Sequence, residues 1–118
     1  MKKFILATFV LGIFLTGCQP AKDTFYWGDY SKTLYKMKKS PDDKTLDLHK
    51  KEILNVIDTS NKKKQQVPPG VFAEYGYMLL KNGDETGGME YLDKEVKLYP
   101  ESQVFITRIK AEYSRSKK

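Results

Sequence analysis

The spacing of hydrophobic positions divides the chain into two parts. Residues 4–15 (FILATFVLGIFL) form one apolar run, whereas after Phe25 the apolar residues recur every three or four positions. The second spacing is typical of one face of an α-helix, and no segment shows the sustained alternation of a strand with hairpin turns. The pattern therefore predicts an all-α domain of four or five helices that follows an N-terminal apolar segment.

Two helices are predicted in the first half of the domain. Pro41 ends the first, and the acidic residues that follow it suit the positive end of the second helix dipole. The second stops near Asn61, where the polar segment NKKKQQ begins. The first stripe comprises Trp27, Tyr30, Leu34 and Met37, and the second Leu46, His49, Ile53, Val56 and Ile57.

Three helices are predicted in the second half. Pro68 and Pro69 mark the start of one, Gly83 can take the left-handed conformation that closes it, and Asp84 can cap the next. Pro100 breaks that helix before the last one. The stripes comprise Phe72, Tyr75, Gly76 and Leu79, then Met89, Leu92, Val96 and Tyr99, and finally Phe105, Ile109 and Tyr113.

The helix–turn–helix of residues 69–102 resembles a tetratricopeptide repeat. The resemblance places Gly76 where the two helices approach closely and Gly88 at the small-residue position of the second helix. Glu95 departs from the pattern, because that position usually holds a small residue. A single repeat cannot bury its apolar face, so the flanking helices are expected to cover it.

The N-terminal segment indicates export. Lys2 and Lys3 precede an apolar run too short to cross a bilayer as a helix, which takes about 20 residues, so the run fits a secretory signal. LTGC, which ends at Cys18, resembles the lipobox of bacterial lipoproteins and implies cleavage after Gly17, with diacylglycerol and palmitate-type acylation on Cys18. The alternative is a plain signal peptide with an incidental cysteine.

These features predict residues 1–17 as signal peptide, 18–25 as lipidated tether and 26–118 as the helical domain. The membrane is the expected partner of Cys18 through its lipid. Gln19, where an aspartate often retains lipoproteins at the inner membrane, favours the outer membrane with the domain facing the periplasm. Inner-membrane and cell-surface placements stay open.

Charge and composition narrow the partners further. Removal of residues 1–17 leaves 19 basic and 15 acidic side chains, a net charge of +4, and export makes nucleic acid an unexpected partner. The lysines are scattered except at residues 62–64 and in the C-terminal tail, where a solvated surface is the first interpretation and a polyanion site the second. Because Cys18 is the single cysteine, no disulfide can form within the chain.

Candidate catalytic chemistry is sparse. His49 is the sole histidine and lies on an apolar stripe, so a hydrogen-bonded core histidine is favoured over a catalytic base. One histidine and a lipidated cysteine cannot form a zinc site, and the chain has no P-loop, dinucleotide fingerprint or nucleophile elbow. We therefore expect no enzymatic activity, no catalytic residues, no cofactor and no metal.

Aromatic residues are the candidate binding groups. The segment FYWGDY (residues 25–30) holds four aromatics that either close the end of the core or contact a partner. Trp27, Tyr30 and Tyr75 are the predicted partner-binding residues.

The chain resembles the small bacterial lipoprotein family known as domain of unknown function 4810. The resemblance is carried by Cys18 in its lipobox and by YWGDY (26–30), LYK (34–36), VPPGVFAEYGYML (67–79), NGD (82–84) and YPES (99–102). It implies a shared complex with other envelope lipoproteins, one of them similar to the curli secretion channel, and no catalytic residues. The expected function is a non-catalytic adaptor or assembly factor; the alternative is a peptidoglycan- or glycan-associated envelope factor.

Overall fold

The computed structural model describes residues 24–118, which form an all-α domain without a strand in that range. The five helices are α1 (Tyr30–Lys39), α2 (Asp43–Lys62), α3 (Val71–Lys81), α4 (Glu85–Leu98) and α5 (Gln103–Ser116), with a 3₁₀ turn at Pro100–Ser102. The predicted fold class is thereby confirmed. The predicted signal peptide and Cys18 lie outside the described residues.

The helix ends follow the sequence signals closely. Asp42 caps α2, since its carboxylate accepts the Thr45 N–H at 2.7 Å while the Thr45 side chain pairs with the Asp42 N–H. Gly83 (φ +85°) closes α3, with the Asp84 N–H donating to the Leu79 carbonyl at 2.9 Å. Asp84 then caps α4 by accepting the Gly87 N–H. The predicted cap at Asp84 is confirmed.

Two regions of buried apolar side chains connect the helices. The first joins α2 to α3 and the segment before α3, and the second joins α3, α4 and α5. No helix among residues 24–118 combines the length and hydrophobicity needed to cross a membrane. The first region contains Ile53, Val56, Ile57, Val67 and Val71, and the second Ala73, Leu80, Leu92 and Ile106.

Glycines allow α3 and α4 to pack backbone against backbone. A Cβ added at Gly76 would lie 2.8 Å from the Gly88 carbonyl oxygen, and one added at Gly88 would lie 2.9 Å from the Gly76 carbonyl oxygen. Neither neighbour can yield, because both are helix backbone. The predicted close approach at Gly76 is confirmed.

Glu95 makes specific hydrogen bonds at a position where the tetratricopeptide pattern usually has a small residue. Its side chain is buried, and its two carboxylate oxygens accept the Gly70 N–H at 2.7 Å and the Ala73 N–H at 3.2 Å. These N–H groups belong to the N-cap residue and the first turn of α3, where a helix has free donors and a positive dipole end. Glu95 on α4 therefore caps α3 from outside, a role that no small residue could fill.

Three predicted positions are wrong. Trp27 precedes α1 instead of lying on it, because the helix begins at Tyr30. Phe105 is 59% exposed, and Ile106 takes the buried position on α5, whereas Ile109 and Tyr113 of the predicted stripe do pack against the core. Leu46 is 39% exposed, because it lines an open cleft between α1, α2 and α3 instead of packing in the core.

Candidate functional site

A hydrogen-bonded network joins α1, α2 and α3 around the sole histidine. His49 has no exposed surface; its Nδ1 lies 2.7 Å from the Thr33 hydroxyl and its Nε2 lies 2.9 Å from Glu74 Oε1. The Tyr30 hydroxyl donates to the other oxygen of Glu74. The buried histidine therefore has partners on both ring nitrogens, which is how a polar side chain is stabilised in a core.

The network can accommodate His49 in two protonation states. The Thr33 hydroxyl, which has one proton, also lies 3.0 Å from the Tyr30 carbonyl oxygen. If the hydroxyl donates its hydrogen bond to His49 Nδ1, a neutral imidazole completes the network by donating from Nε2 to Glu74. If the hydroxyl instead donates to the Tyr30 carbonyl, it can only accept from Nδ1, and the Glu74 carboxylate can only accept from Nε2. Both ring nitrogens then donate, and His49 is an imidazolium. The two arrangements differ by the rotation of the Thr33 hydroxyl and by one proton on His49 Nδ1.

Tyr30 forms the outer edge of this network. Its ring lies 5.0 Å from the His49 ring and 5.3 Å from the Trp27 ring, measured between centroids. Partial burial raises the pKa of Tyr30 far above its ordinary value, and the hydrogen bond to the Glu74 carboxylate, with its negative charge, raises it further. The hydroxyl therefore remains a donor to Glu74 across the physiological pH range.

An open cleft of about 640 Å³ lies beside the network, between α1, α2 and α3. Glu74 is the link, because its carboxylate is hydrogen-bonded to His49 and Tyr30 and the same residue lines the cleft. Leu46 and Tyr77, which are 39% and 43% exposed, add apolar surface. The remaining lining residues are Met37, Asp43, Asp47, Lys50, Met78, Lys81 and Asn82.

The cleft is suited to binding a side chain or short segment of another molecule. Its apolar surface is bordered by both carboxylates and amines, while His49 lies behind Glu74 with no surface that a ligand could contact. Among the described residues, no three His, Cys, Asp or Glu side chains stand close enough together to coordinate a metal ion.

The structure separates the three predicted partner-binding residues. Trp27 is 41% exposed and packs against Tyr30, whose ring is half-buried. Tyr75 is half-buried in a different aromatic pair, edge-to-face with Tyr91 at 4.7 Å. Partner binding by these three residues stays a prediction, and only Trp27 presents a large exposed surface among them.

Glu74, Leu46 and Tyr77 were not predicted as site residues. Glu74 did carry a signal, because it is the single charged side chain within the apolar segment VFAEYGYMLL and so needed a polar partner inside the domain. Tyr77 and Leu46 carried none. Their exposure depends on where α1 and α5 lie, and that is a property of tertiary packing.

Comparison with known proteins gives one match. The family model described as Domain of unknown function (DUF4810) matches residues 24–109, which include all of α1 to α4, the Thr33–His49–Glu74 network and every residue that lines the cleft. Neither a curated protein nor a solved structure matches the chain. The chain belongs to the DUF4810 family.

Proposed function

We propose that this protein is a membrane-anchored envelope lipoprotein that acts as a non-catalytic adaptor or assembly factor. In this proposal, acylated Cys18 holds the chain in the outer membrane with its domain facing the periplasm. The partner is another envelope lipoprotein, such as one similar to the curli secretion channel. Membership of the DUF4810 family supports a role as an envelope lipoprotein, and the cleft between α1, α2 and α3 supports the binding role.

The cleft is the main support for the proposal, because it combines exposed apolar side chains with a lining residue that is held in position by hydrogen bonds. Tyr77 presents an aromatic ring of the kind that dominates interface energetics. In the same cleft, Glu74 is hydrogen-bonded to His49 and Tyr30, so its side chain is positioned before a partner arrives. Binding to a preorganised surface costs less conformational entropy than binding to a mobile one.

The test is a crosslinked pull-down of the tagged protein from native membranes, read by mass spectrometry. Wild type, Cys18→Ala and Tyr77→Ala are compared with Tyr35→Ala, whose ring is 65% exposed but lies outside the cleft. We expect wild type and Tyr35→Ala to capture the same envelope lipoprotein, Tyr77→Ala to lose it, and Cys18→Ala to leave the membrane fraction. Wild type recovered alone from membranes would contradict the adaptor role and leave the anchor standing.

The predicted partner-binding residues need variants that separate packing from contact. Tyr30→Phe and Tyr75→Phe keep the rings and remove only the hydroxyls, whereas Trp27→Ala removes the most exposed ring of the three. Loss of the partner with unchanged thermal unfolding would support a contact. Loss of both would identify the side chain as part of the core.

Exposed tyrosines beside lysines give specific support to the alternative, a glycan-associated factor. The Lys81 amine lies 5.3 Å from the centre of the Tyr77 ring, and that of Lys39 lies 6.0 Å from the Tyr35 ring. Aromatic rings can stack on sugars, and amines can pair with the carboxylates of peptidoglycan. Co-sedimentation with isolated sacculi that is lost at high salt would favour this function over the adaptor.

A further inference from the structure

The structure brings together two sequence clusters that lie far apart along the chain. The Lys63 amine stands 4.6 Å from the centre of the Tyr26 ring, which joins the lysines of residues 62–64 to the aromatics of residues 25–30. Three residues later, the Asp29 N–H donates to Glu52 Oε1 at 2.9 Å. Residues 26–30 therefore run antiparallel to α2 and start at its C-terminal end, so the chain enters the domain beside these lysines.

A second group of lysines extends this end of the domain. A cleft of about 490 Å³ is lined by Lys64, Lys94 and Lys97 together with apolar residues that include Phe72 and Leu98, and no acidic residue within 24–118 lines it. We use the name basic end for the lysines of residues 62–64 together with Lys94, Lys97, Tyr26 and Trp27.

Nearby acidic groups neutralise part of the basic end. Asp58 pairs with Lys62 at 2.6 Å and Glu90 pairs with Lys94 at 2.8 Å. Glu52 Oε1 accepts hydrogen bonds from the Asp29 backbone N–H and the Asn55 side-chain amide. Asp29 itself precedes α1 and is exposed. Within residues 24–118, the amines of three lysines of the basic end form no ion pair: Lys63, Lys64 and Lys97.

We propose that the basic end docks on the anionic phospholipid surface of the membrane that anchors the chain. The inference rests on the proposed lipid at Cys18. Only residues 19–23 separate Cys18 from Thr24, so the domain begins within about 22 Å of the lipidated residue even when the tether is fully extended. Lysine amines are attracted to anionic headgroups, and tryptophan and tyrosine rings favour the membrane–water interface.

The first experiment measures which lysines the membrane protects. The full lipidated protein, purified from membranes, is reconstituted into phosphatidylcholine vesicles with and without phosphatidylglycerol and labelled briefly with an amine-reactive reagent. We expect labelling of the basic end to slow at least threefold in the anionic vesicles and to recover in high salt. Lysines 36, 38 and 39 at the end of α1 serve as the internal control and keep their rates. Equal rates for both groups in both vesicles would overturn the proposal.

The second experiment uses Trp27, which is the sole tryptophan and thus an unambiguous fluorophore. Quenching by a lipid with a nitroxide on its headgroup reports contact with the surface. Lys62→Gln/Lys63→Gln/Lys64→Gln is compared with Lys36→Gln/Lys38→Gln/Lys39→Gln, which makes the same charge change elsewhere. We expect docking to weaken about fivefold for each lysine removed from the basic end and to stay unchanged in the control.

The outcomes separate this inference from the proposed function. If Cys18→Ala leaves the membrane and wild type floats with vesicles, but Trp27 is unquenched, the anchor stands and the docking surface is refuted. If sacculi rather than anionic vesicles protect the same lysines, the surface binds peptidoglycan and the lipid assignment is refuted. If wild type itself fails to float, the anchor proposed at Cys18 is wrong.

Discussion

Replacement of Glu95 by alanine should destabilise the domain more than replacement of any exposed acidic residue. The change removes the acceptor from the Gly70 and Ala73 N–H groups, which lie 2.7 and 3.2 Å from the carboxylate. A hydrogen bond to a charged group contributes about 1.5–3 kcal/mol. The Gly70 site is exposed, so water can replace the carboxylate there, whereas Ala73 is buried and its N–H stays unpaired.

The sum is smaller than two full bonds, because the variant also avoids the cost of burying a carboxylate. We expect a loss of about 3 kcal/mol in the free energy of unfolding, which corresponds to about 15 °C in Tm for a domain of this size. Urea unfolding followed by circular dichroism at 222 nm measures it. The slope of the unfolding free energy against urea concentration should stay constant, since the variant exposes the same surface area on unfolding.

Two further variants make this measurement decisive. Glu95→Gln keeps one acceptor oxygen but turns an amide NH₂ toward a backbone N–H, so we expect about half of the loss. Glu101→Ala removes an exposed carboxylate that makes no ion pair among the described residues, and we expect almost no change. If Glu95→Ala is as stable as Glu101→Ala, the cross-helix cap contributes nothing net and the explanation given for Glu95 is wrong.

Three other substitutions test the helix packing and the hydrogen-bonded network. Gly76→Ala should cost up to about 2 kcal/mol in urea unfolding, because overpacking against the α4 backbone costs about 1–3 kcal/mol and helix propensity returns about 1 kcal/mol. Ile106→Ala should cost about 2–5 kcal/mol while Phe105→Ala costs almost nothing, and the reverse order would show that Phe105 is the core residue. Glu74→Gln should lower the pKa of Tyr30 in tyrosinate absorbance titrations, but not to its ordinary value, since burial is the larger cause.

The sign of the Tyr30 effect fixes a pH dependence. Because its pKa is raised in the folded state, its contribution to stability is complete below pH 10, where tyrosine begins to ionise in the unfolded chain, and is lost as the pH rises toward the folded value. The Tm of wild type should therefore decrease above pH 10, and the Tm of Tyr30→Phe should decrease less. Equal shifts for both proteins would show that other groups control the alkaline transition.

Helix limits could be predicted from sequence because local chemistry determines them. Pro41, Asp84 and Pro100 each act within one turn, and the structure places a helix end at each of them. The buried position in the first turn of α5 could not be predicted, because Phe105 and Ile106 are adjacent apolar residues and either one continues the stripe of Ile109 and Tyr113. Packing against α3 and α4 decides between them, and no local signal reports it.

The candidate site was harder to predict for a related reason. His49 was expected to be a hydrogen-bonded core residue, and its partners Thr33 and Glu74 are 16 and 25 residues away. The sequence shows that a buried imidazole and the lone carboxylate of α3 each need a partner, but not that they meet. The cleft depends on that meeting, because Glu74 belongs to both the network and the cleft wall.

The two proposed surfaces lie toward opposite ends of α2, so each can be disturbed without the other. Lys50 lines the cleft and Lys62 belongs to the basic end, which separates them by 12 residues or about 18 Å along the helix. Tyr77→Ala should therefore abolish capture of the partner and leave the lysine labelling pattern intact. The change of lysines 62–64 to glutamine should release the basic end from the lipid surface first. It should weaken capture only through the lost orientation of the domain, and equal loss of capture in both variants would mean that partner and membrane share one surface.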